Sequence, residues 1–408
     1  MTTERSFPHF TVTKKAAASV KNGHPWVYGE EILSGAEGVA NGSLCDAFTE
    51  KGTYLGTGLY SEKSKIKLRL LSDNANEKFD ESFFARRIGY AIDHRLTVMR
   101  DDFDCCRLVF GEADGLPGLT VDKYNDMLVT QTVSFGMDMR KDMIFRLLIS
   151  ELEKRGVTVS GIFERNDLAL RDLEGLEQGK GWFMSDFIGH PDFTSFEICE
   201  NGIKYTVDIE NGQKTGFFLD QKYNRLAAAR LAKGKKVLDC FTHTGSFAMN
   251  AVKGGAAHVT AVDISRDATS LAEGNARLNG MEDRMDFLCT DVFDLLPRLC
   301  EEHADYDYVI LDPPAFTKSR RTIKDAERGY KEINYRAMKL LHRGGYLATC
   351  SCSHFMSNEL FLRMLISASH DAGVTLKLVE ARRQSPDHPI LLNVPETDYL
   401  KFYLFQIV

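Results

Sequence analysis

The sequence KKVLDCFTHTGSFAMNAVKGGAAHVTAVDI, residues 235–264, contains two short apolar runs that are each followed or interrupted by an aspartate. The runs read as strands, and the segment between them reads as a helix. The same alternation continues downstream, where MDFLCTD, YDYVILD and GGYLATC are separated by helical stretches and short connections. Because strands and helices alternate, the sequence predicts an α/β fold with a parallel, doubly wound sheet.

Four aspartates stand at the carboxyl ends of the first four predicted strands: Asp239, Asp263, Asp291 and Asp312. Ligands of doubly wound sheets bind at this edge. A carboxylate after the second strand can bind two ribose hydroxyls, and one after the third can lie beside an adenine amine. Solvated strand ends are the alternative explanation, but four aspartates in register favour a ligand site.

The first turn, DCFTHTGSFA, contains Gly245 as its only glycine. It lacks the GxGxxG pattern of dinucleotide sites and has no Walker lysine, so nothing in it is suited to phosphates. A ligand that has ribose and adenine but no phosphate is S-adenosylmethionine. The chain ends with two further strands, VTLKLVEAR and YLKFYLFQIV. Seven strands with a late hairpin favour a class I methyltransferase sheet over a dehydrogenase sheet.

The loop LDPPAF, residues 311–316, follows the fourth strand. Its two prolines stiffen the chain and hold Asp312 in place. A rigid acidic loop beside a methyl donor suits an amino group or a ring nitrogen of a base. Methyltransferases that act on nucleobase nitrogens use a similar Asp/Asn-Pro-Pro-aromatic loop, although Ala315 stands before the aromatic residue here.

Two cysteines, Cys350 and Cys352, follow the fifth strand in TCSCSHFM, residues 349–356. Their spacing does not match that of zinc ligands, and no metal site is expected. Buried packing is the alternative for either cysteine, and it is the preferred interpretation for Cys350. Cys352 is interpreted as a nucleophile that adds to carbon-6 of a cytosine, so that carbon-5 can take up a methyl group. Asp312 would act as the acid at ring nitrogen-3.

The bulk composition indicates more than one domain and argues against a complete disulfide framework. The chain has 408 residues, a net charge of −7 and nine cysteines, which predicts a protein of two or three domains with mostly free thiols. Because no signal peptide and no membrane span are evident, a cytoplasmic location is expected.

Two local clusters of positive charge stand out in this acidic chain. Residues 318–343 hold nine Lys or Arg residues against three acidic ones, Lys318 among the nine. Lys63, Lys65, Lys67 and Arg69 alternate with apolar residues, which predicts a basic face on a strand. Either cluster could bind RNA phosphates, or either could be an ordinary solvated surface.

The sequence resembles a known family, the cytosine carbon-5 methyltransferases of 23S ribosomal RNA of the large-subunit methyltransferase I type. The resemblance covers nearly the whole chain. It rests on these segments: HPWVYGEEI, GEADGLPGLTVDKY, GQKTGFFLDQ, DCFTHTGSFA, VDIS, DVFDLL, LDPPAF, SCSHFM and QSPDHP. With this resemblance, we expect a PUA-like RNA-binding domain at residues 1–72, a central α+β domain at 73–190 and a methyltransferase domain at 191–408.

The resemblance also implies roles for individual residues. Cys352 would be the nucleophile and Asp312 would hold the target base. The residues expected to bind S-adenosylmethionine are Thr215, Gln221, Asp239, Gly245, Asp263, Ile264, Asp291 and Pro313. The chain departs from many RNA cytosine carbon-5 methyltransferases because the DPP loop continues with Ala315 and not with a second cysteine. Another base or water must therefore remove the carbon-5 proton.

The expected partner is 23S ribosomal RNA, with no membrane partner, and the protein is expected to be a monomer or a homodimer. Two other functions remain open at this point. The first is methylation of a base nitrogen, for example of guanine, without a covalent step. The second is a non-catalytic RNA-binding assembly factor that keeps the cofactor fold.

Overall fold

The computed structural model of the protein describes residues 7–317 and 319–408. Backbone contacts divide these residues into two compact units. The first unit contains the described residues up to Phe196, together with Val207–Leu219 and Pro386–Thr397. The second unit contains Glu197–Thr206, Asp220–Ser385 and Asp398–Val408. Each unit therefore combines segments that are distant in the sequence.

Between residues 7 and 72, six strands form one sheet of the first unit. The strands are β1 (His9–Val12), β2 (Trp26–Tyr28), β3 (Ile32–Ser34), β4 (Leu44–Thr49), β5 (Tyr54–Tyr60) and β6 (Ile66–Ser72). Their order across the sheet is β2-β6-β5-β4-β1-β3. The helix α1 (Lys14–Lys21) buries Ala16, Ala17 and Val20 in the core of this sheet.

Between residues 81 and 182, a second sheet of the first unit has five strands in the order β11-β10-β9-β8-β7. The strands are β7 (Cys105–Phe110), β8 (Leu119–Tyr124), β9 (Met127–Thr132), β10 (Gly161–Arg165) and β11 (Lys180–Trp182). The helices of this region are α2 (Glu81–Met99), α3 (Phe135–Asp138), α4 (Lys141–Glu153) and α5 (Leu170–Glu174). The short strands β12 (Ser195–Glu200) and β13 (Ile203–Asp208) then pair with each other.

In the described part of the second unit, seven strands form a sheet with the order β16-β15-β14-β17-β18-β20-β19. The strands are β14 (Lys236–Cys240), β15 (His258–Asp263), β16 (Met285–Cys289), β17 (Tyr308–Leu311), β18 (Tyr346–Ser351), β19 (Leu376–Arg382) and β20 (Lys401–Ile407). The helices are α6 (Lys222–Ala229), α7 (Ser246–Lys253), α8 (Arg266–Leu278), α9 (Val292–Glu301), α10 (Ile323–Leu340) and α11 (Asn358–Ala372).

This seven-stranded sheet confirms the predicted α/β class. The first five strands pair parallel to one another, and β20 pairs antiparallel with both β18 and β19. The inner strands β14, β15, β17, β18 and β20 are buried along most of their length, and strands covered on both faces are nearly continuous apolar runs, which is why these could be recognised from the sequence. The core beneath α9, α10 and α11 includes Leu238, Val309 and Leu347 from three neighbouring strands.

The prediction that Lys63, Lys65, Lys67 and Arg69 form a basic face on one strand is wrong. β6 begins at Ile66, so Lys63 and Lys65 precede it and only Lys67 and Arg69 lie on the strand. Arg69 is 7% exposed and forms an ion pair with Glu174 at 2.7 Å. A buried, paired guanidinium is not available to bind RNA phosphates, so this strand does not present four cations to RNA.

The predicted domain boundaries fall between sheets. The six-stranded sheet ends at Ser72 and the five-stranded sheet ends at Trp182. The division at residues 72/73 and 190/191 stays a prediction. Among the helices of residues 7–317 and 319–408, none has the length and hydrophobicity that a membrane span requires.

Candidate active site

Three of the predicted aspartates meet at one edge of the seven-stranded sheet. Asp239 lies near the end of β14, Asp263 is the last residue of β15, and Asp312 follows β17 directly. β14 is the central strand of the three and pairs with both neighbours. Asp291 follows β16 and caps α9, where its carboxylate accepts a hydrogen bond from the Phe293 N–H at 2.8 Å.

Asp239 is a buried carboxylate with one oxygen that is satisfied and one that is not. Its Oδ2 accepts hydrogen bonds from the Thr242 hydroxyl at 2.6 Å and from the Ala248 N–H at 3.0 Å. Its Oδ1 is buried and has no hydrogen-bond partner among the residues that the structure describes. Burial raises the pKa of Asp239 to about 7. An unsatisfied buried oxygen of this kind indicates a place for a donor that the protein itself does not supply.

The turn after β14 is strained. Phe241 and His243 have positive φ angles of 65° and 49°, and Gly245 has a φ of 77°. Positive φ is uncommon outside glycine and occurs in ligand-binding turns. The turn is held by Asp263, whose Oδ2 accepts from the His243 N–H at 3.0 Å. A Cβ at Gly245 would lie 3.0 Å from the Ala272 Cβ, so a side chain would crowd α8.

Exposed apolar side chains lie beside the carboxylates. Ile264 follows Asp263 and is 67% exposed, and Leu288 and Phe293 are also exposed. The Phe293 ring lies 5.8 Å from the Phe316 ring of the LDPPAF loop. Apolar surface next to carboxylates suits a ligand that combines a flat ring with hydroxyl and ammonium groups. The unsatisfied Asp239 oxygen, the half-buried Asp263 and this apolar surface therefore fit S-adenosylmethionine.

A chain of hydrogen bonds orients the amide of Gln221 toward Asp312. The Arg382 guanidinium, which can only donate, donates to Asn224 Oδ1 at 3.0 Å. The Asn224 amide nitrogen then donates to Gln221 Oε1 at 2.6 Å. Gln221 Nε2 is left to donate to Asp312 Oδ1 at 2.8 Å. Because every step is fixed by the first, neither amide can be reversed without losing hydrogen bonds.

Asp312 is half-buried and holds its proton more strongly than an ordinary aspartic acid. Burial, followed by the charge of Asp220, raises the pKa of Asp312 to about 6. Cys350 is fully buried within β18, and burial followed by the charge of Asp312 raises the pKa of its thiol well above the usual value. Cys350 is therefore a neutral thiol in the core of the sheet, consistent with its interpretation as buried packing.

Cys352 differs from Cys350 in position and surroundings. β18 ends at Ser351, so Cys352 lies outside the strand, and it is half-buried. Its Sγ lies 3.9 Å from the carbonyl oxygen of Pro313. The next residue, Ser353, is held by the Tyr330 hydroxyl, which lies 2.9 Å from its Oγ. The structure therefore brings the Cys352 thiol to the DPP loop that carries Asp312.

Thr215 belongs to the first unit, where its hydroxyl donates to Asp122 at 2.6 Å. Its role in cofactor binding stays a prediction. The sequence did not point to Asn224 or to Lys401, whose ammonium donates to the Ser353 carbonyl at 2.7 Å. A lysine within the apolar run YLKFYLFQIV was the available signal for the second of these.

A basic groove lies on α10 and α11, at the second predicted cluster of positive charge. The cavity has a volume of about 570 Å³ and is lined by Arg321, Lys324, Asp325, Glu327, Arg328, Lys331, Met364 and Ser367. Arg328 pairs with Asp325, and Lys331 pairs with Asp371 at 2.6 Å. Arg321 and Lys324 have no ion-pair partner in residues 7–317 and 319–408. Lys318, which was part of the predicted cluster, lies outside the described residues.

Two family models match the chain. A model described as an S-adenosylmethionine-dependent methyltransferase matches residues 182–406. A model described as a PUA-like domain matches residues 10–73. The first match covers nearly all of the seven-stranded sheet and the second covers nearly all of the six-stranded sheet.

Curated relatives are similar over the full length of the chain. The ribosomal RNA large subunit methyltransferase I of Klebsiella pneumoniae is 36% identical over 408 residues, which is 100% of both chains. The protein of the same name from Aeromonas hydrophila is 39% identical over 393 residues, 96% of this chain and 97% of its own.

Solved structures share the fold. An S-adenosylmethionine-dependent methyltransferase from Streptococcus mutans is 20% identical with a TM-score of 0.82, covering 98% of this chain and 100% of its own. A methyltransferase complexed with SAH gives the same values of identity, coverage and TM-score. The family model that matches residues 182–406 makes S-adenosylmethionine the cofactor, as the sequence predicted. The chain belongs to the ribosomal RNA large subunit methyltransferase I family of S-adenosylmethionine-dependent methyltransferases.

Proposed function

We propose that this protein methylates carbon-5 of a cytosine in 23S ribosomal RNA, with Cys352 as the nucleophile and Asp312 as the acid at the base. The observation that carries the proposal is the meeting of the two residues at the ends of adjacent strands. β17 and β18 pair parallel with Leu311 opposite Thr349, so Asp312 and the cysteine segment leave the sheet together. The contact between Cys352 Sγ and the Pro313 carbonyl supports the same arrangement.

The chemistry needs a thiolate and an acid on one cytosine. The Cys352 thiolate forms a bond to carbon-6, and the electron pair of the C5–C6 double bond becomes available at carbon-5. A protonated Asp312 donates to ring nitrogen-3 and neutralises the charge that the addition creates there. A pKa of about 6 suits this role, because the carboxyl can exchange its proton near neutral pH.

S-adenosylmethionine, when bound, would supply the electrophilic methyl group that carbon-5 takes up, with S-adenosylhomocysteine as the leaving group. Asp239, with its unsatisfied oxygen, and Asp263, at the end of β15, would hold the cofactor together with Gly245, Ile264 and Asp291. A base or water then removes the carbon-5 proton, the C5–C6 double bond forms again, the Cys352 thiolate leaves carbon-6, and ring nitrogen-3 returns its proton to Asp312. Every atom of the enzyme is thereby returned to its starting state.

RNA binding is proposed for two surfaces. The PUA-like domain would bind structured RNA through its shape and backbone, and the target base would be unstacked before carbon-6 can be reached. The groove around Arg321 and Lys324 would bind phosphates, since these two cations are unpaired in the described structure. We propose a cytoplasmic protein that acts as a monomer or a homodimer.

The test is methylation of unmodified 23S ribosomal RNA transcribed in vitro. The RNA is incubated with the enzyme and S-adenosylmethionine, digested, and its nucleosides are identified by mass spectrometry. We expect 5-methylcytidine from the wild type. Cys352→Ser should lower its rate of formation by at least about 10³-fold, because a hydroxyl is a poor nucleophile here. The matched control Cys350→Ser should stay within about tenfold of the wild type.

Methylation of a base nitrogen is the second candidate, and the Asp-Pro-Pro-Ala-Phe loop favours it. It predicts that the digested RNA contains a nucleoside methylated at a base nitrogen, for example of a purine. It also predicts full activity of Cys352→Ser. Methyl transfer that survives in this variant would refute the covalent mechanism. An RNA-binding protein without any methyl transfer would instead be the non-catalytic assembly factor.

A further inference from the structure

Lys401 is a buried lysine on the strand next to the cysteine segment. It is 3% exposed and begins β20, where it lies opposite Ser351 of β18. Its ammonium donates hydrogen bonds to the carbonyl oxygens of Ser353 at 2.7 Å and Tyr399 at 2.8 Å. The ammonium is thus fixed against the backbone of the residue that follows Cys352.

This ammonium has no carboxylate partner. Within residues 7–317 and 319–408, no Asp or Glu oxygen lies within 4.0 Å of the Lys401 Nζ. Asp398 and Arg383 are the other charged groups that act on it, and they pair with each other at 2.6 Å. Because their charges are opposite, their effects on Lys401 oppose each other. Burying an ammonium against neutral carbonyls alone is costly, so an anion nearby would stabilise it.

The ionised form of Cys352 is the anion that complements Lys401 best. Burial lowers the pKa of Lys401 to about 8, and the charge of Cys352 is the strongest influence in the opposite direction, ahead of that of Asp398. At neutral pH the amine is therefore still mostly an ammonium. Electrostatic coupling between two titrating groups is reciprocal, so an ammonium that is stabilised by a thiolate stabilises that thiolate equally.

Three acids also lie close to the cysteine segment. Tyr330 of α10 and Cys350 of β18 have pKa values raised by burial, so both are neutral near pH 7. Asp312, at the end of β17, would oppose a thiolate when it is ionised. None of the three can favour the charged form of Cys352 as a cation does.

We propose that Lys401 is a positioning residue that holds Cys352 in its thiolate form through the charge of its ammonium and through its hydrogen bond to Ser353. The thiol proton passes to solvent and the ammonium keeps its own three protons, so no proton is transferred between the two side chains. The importance of this thiolate for catalysis rests on the proposed function. The proposal about Lys401 itself concerns only the ionisation of Cys352.

The test is the pH profile of cysteine alkylation in the full chain, without RNA and without cofactor. Iodoacetamide reacts with thiolates, and peptide mass spectrometry follows each cysteine separately. Cys199 and Cys289 are exposed and serve as internal references. We expect the profile of Cys352 to have its midpoint below those of the references. In Lys401→Met the midpoint should rise by about 1–3 pH units, the usual effect of losing an opposite charge nearby. In the control Lys401→Arg it should stay close to the wild-type value.

A wild-type midpoint equal to those of the references would overturn the proposal, and so would a low midpoint that is unchanged in Lys401→Met. Unfolding of the variant would be visible as rapid labelling of Cys240, which is fully buried in the native protein. If Lys401→Met unfolds, the proposal is judged from the midpoints of the wild type and of Lys401→Arg. Because the assay contains neither substrate nor cofactor, absence of cytosine methylation would leave its result unchanged, and the two proposals can fail separately.

Discussion

Replacing Asp239 by Asn should make the second unit more stable at pH 8 than the wild type. The pKa of Asp239 is about 7 in the folded protein, against 3.8 for an ordinary aspartate. At about 1.4 kcal/mol for each pH unit between these values, ionising the buried carboxylate costs the fold about 4 kcal/mol. The Asn side chain carries no charge, but its NH₂ group would be buried where the unsatisfied Oδ1 lies, at a cost of about 1–3 kcal/mol. The net gain at pH 8 is therefore about 1–3 kcal/mol.

The sign of the pH dependence follows from the raised pKa. The folded wild type holds the Asp239 proton more strongly than the unfolded chain does, so its stability falls as the pH rises from about 4 to about 7. Asp239→Asn lacks this titration, so its advantage over the wild type should grow as the pH rises through that range and should remain at pH 8. Asp312 titrates in both proteins and contributes to both in the same direction. At pH 4 the variant should be no more stable than the wild type.

The assay is urea unfolding at several pH values between 4 and 8, read by circular dichroism. Trp26 and Trp182 are the only tryptophans and both lie in the first unit, so their fluorescence identifies that unit's transition. The other transition belongs to the second unit. Asp294→Asn, an exposed position on α9, is the matched control and should behave as the wild type. If the stability of Asp239→Asn kept the wild-type pH dependence, a raised pKa of Asp239 would be excluded as its cause.

Two further predictions concern a buried ion pair and the basic groove. Arg225→Met should destabilise the second unit by about 3–5 kcal/mol in the same urea assay, because it leaves Glu200, its partner at 2.6 Å, as a buried charge; a loss below about 1 kcal/mol would contradict this. The double variant Arg321→Glu, Lys324→Glu should weaken binding to ribosomal RNA fragments and reduce the salt dependence of binding. Arg277→Glu is the exposed control on α8, and an equal effect of both would argue against a specific groove.

The seven-stranded sheet and its carboxylate edge could be predicted because both depend on local sequence. Each buried strand is a continuous apolar run, and each of the four aspartates follows such a run directly or nearly so. Strand polarity then decides that the side chains after parallel strands meet at one edge. Asp239, Asp263 and Asp312 therefore came together without any knowledge of distant contacts.

Contacts between distant segments could not be read from the sequence. Arg69 was expected on an exposed strand face, but its partner Glu174 is far away in the chain and buries it. The hydrogen bond between Gln221 and Asp312 likewise joins two segments that no local pattern relates. Lys401 begins an apolar strand, and only the pairing of β20 with β18 brings it to the cysteine segment. The spacing of apolar residues along a strand indicates which face a residue occupies. Its ion-pair or hydrogen-bond partner depends on the tertiary fold.

A trapped covalent complex would show whether Cys352 forms a bond to carbon-6 of a cytosine. Short ribosomal RNA fragments that carry 5-fluorocytosine are incubated with S-adenosylmethionine and with wild type, Cys350→Ser or Cys352→Ser. Fluorine at carbon-5 cannot be removed as a proton, so the adduct persists on a denaturing gel. We predict a slowly migrating band with the wild type and Cys350→Ser and none with Cys352→Ser. A band that is lost only in Cys350→Ser would make Cys350 the nucleophile, and no band from any protein that still methylates ribosomal RNA would exclude a covalent step.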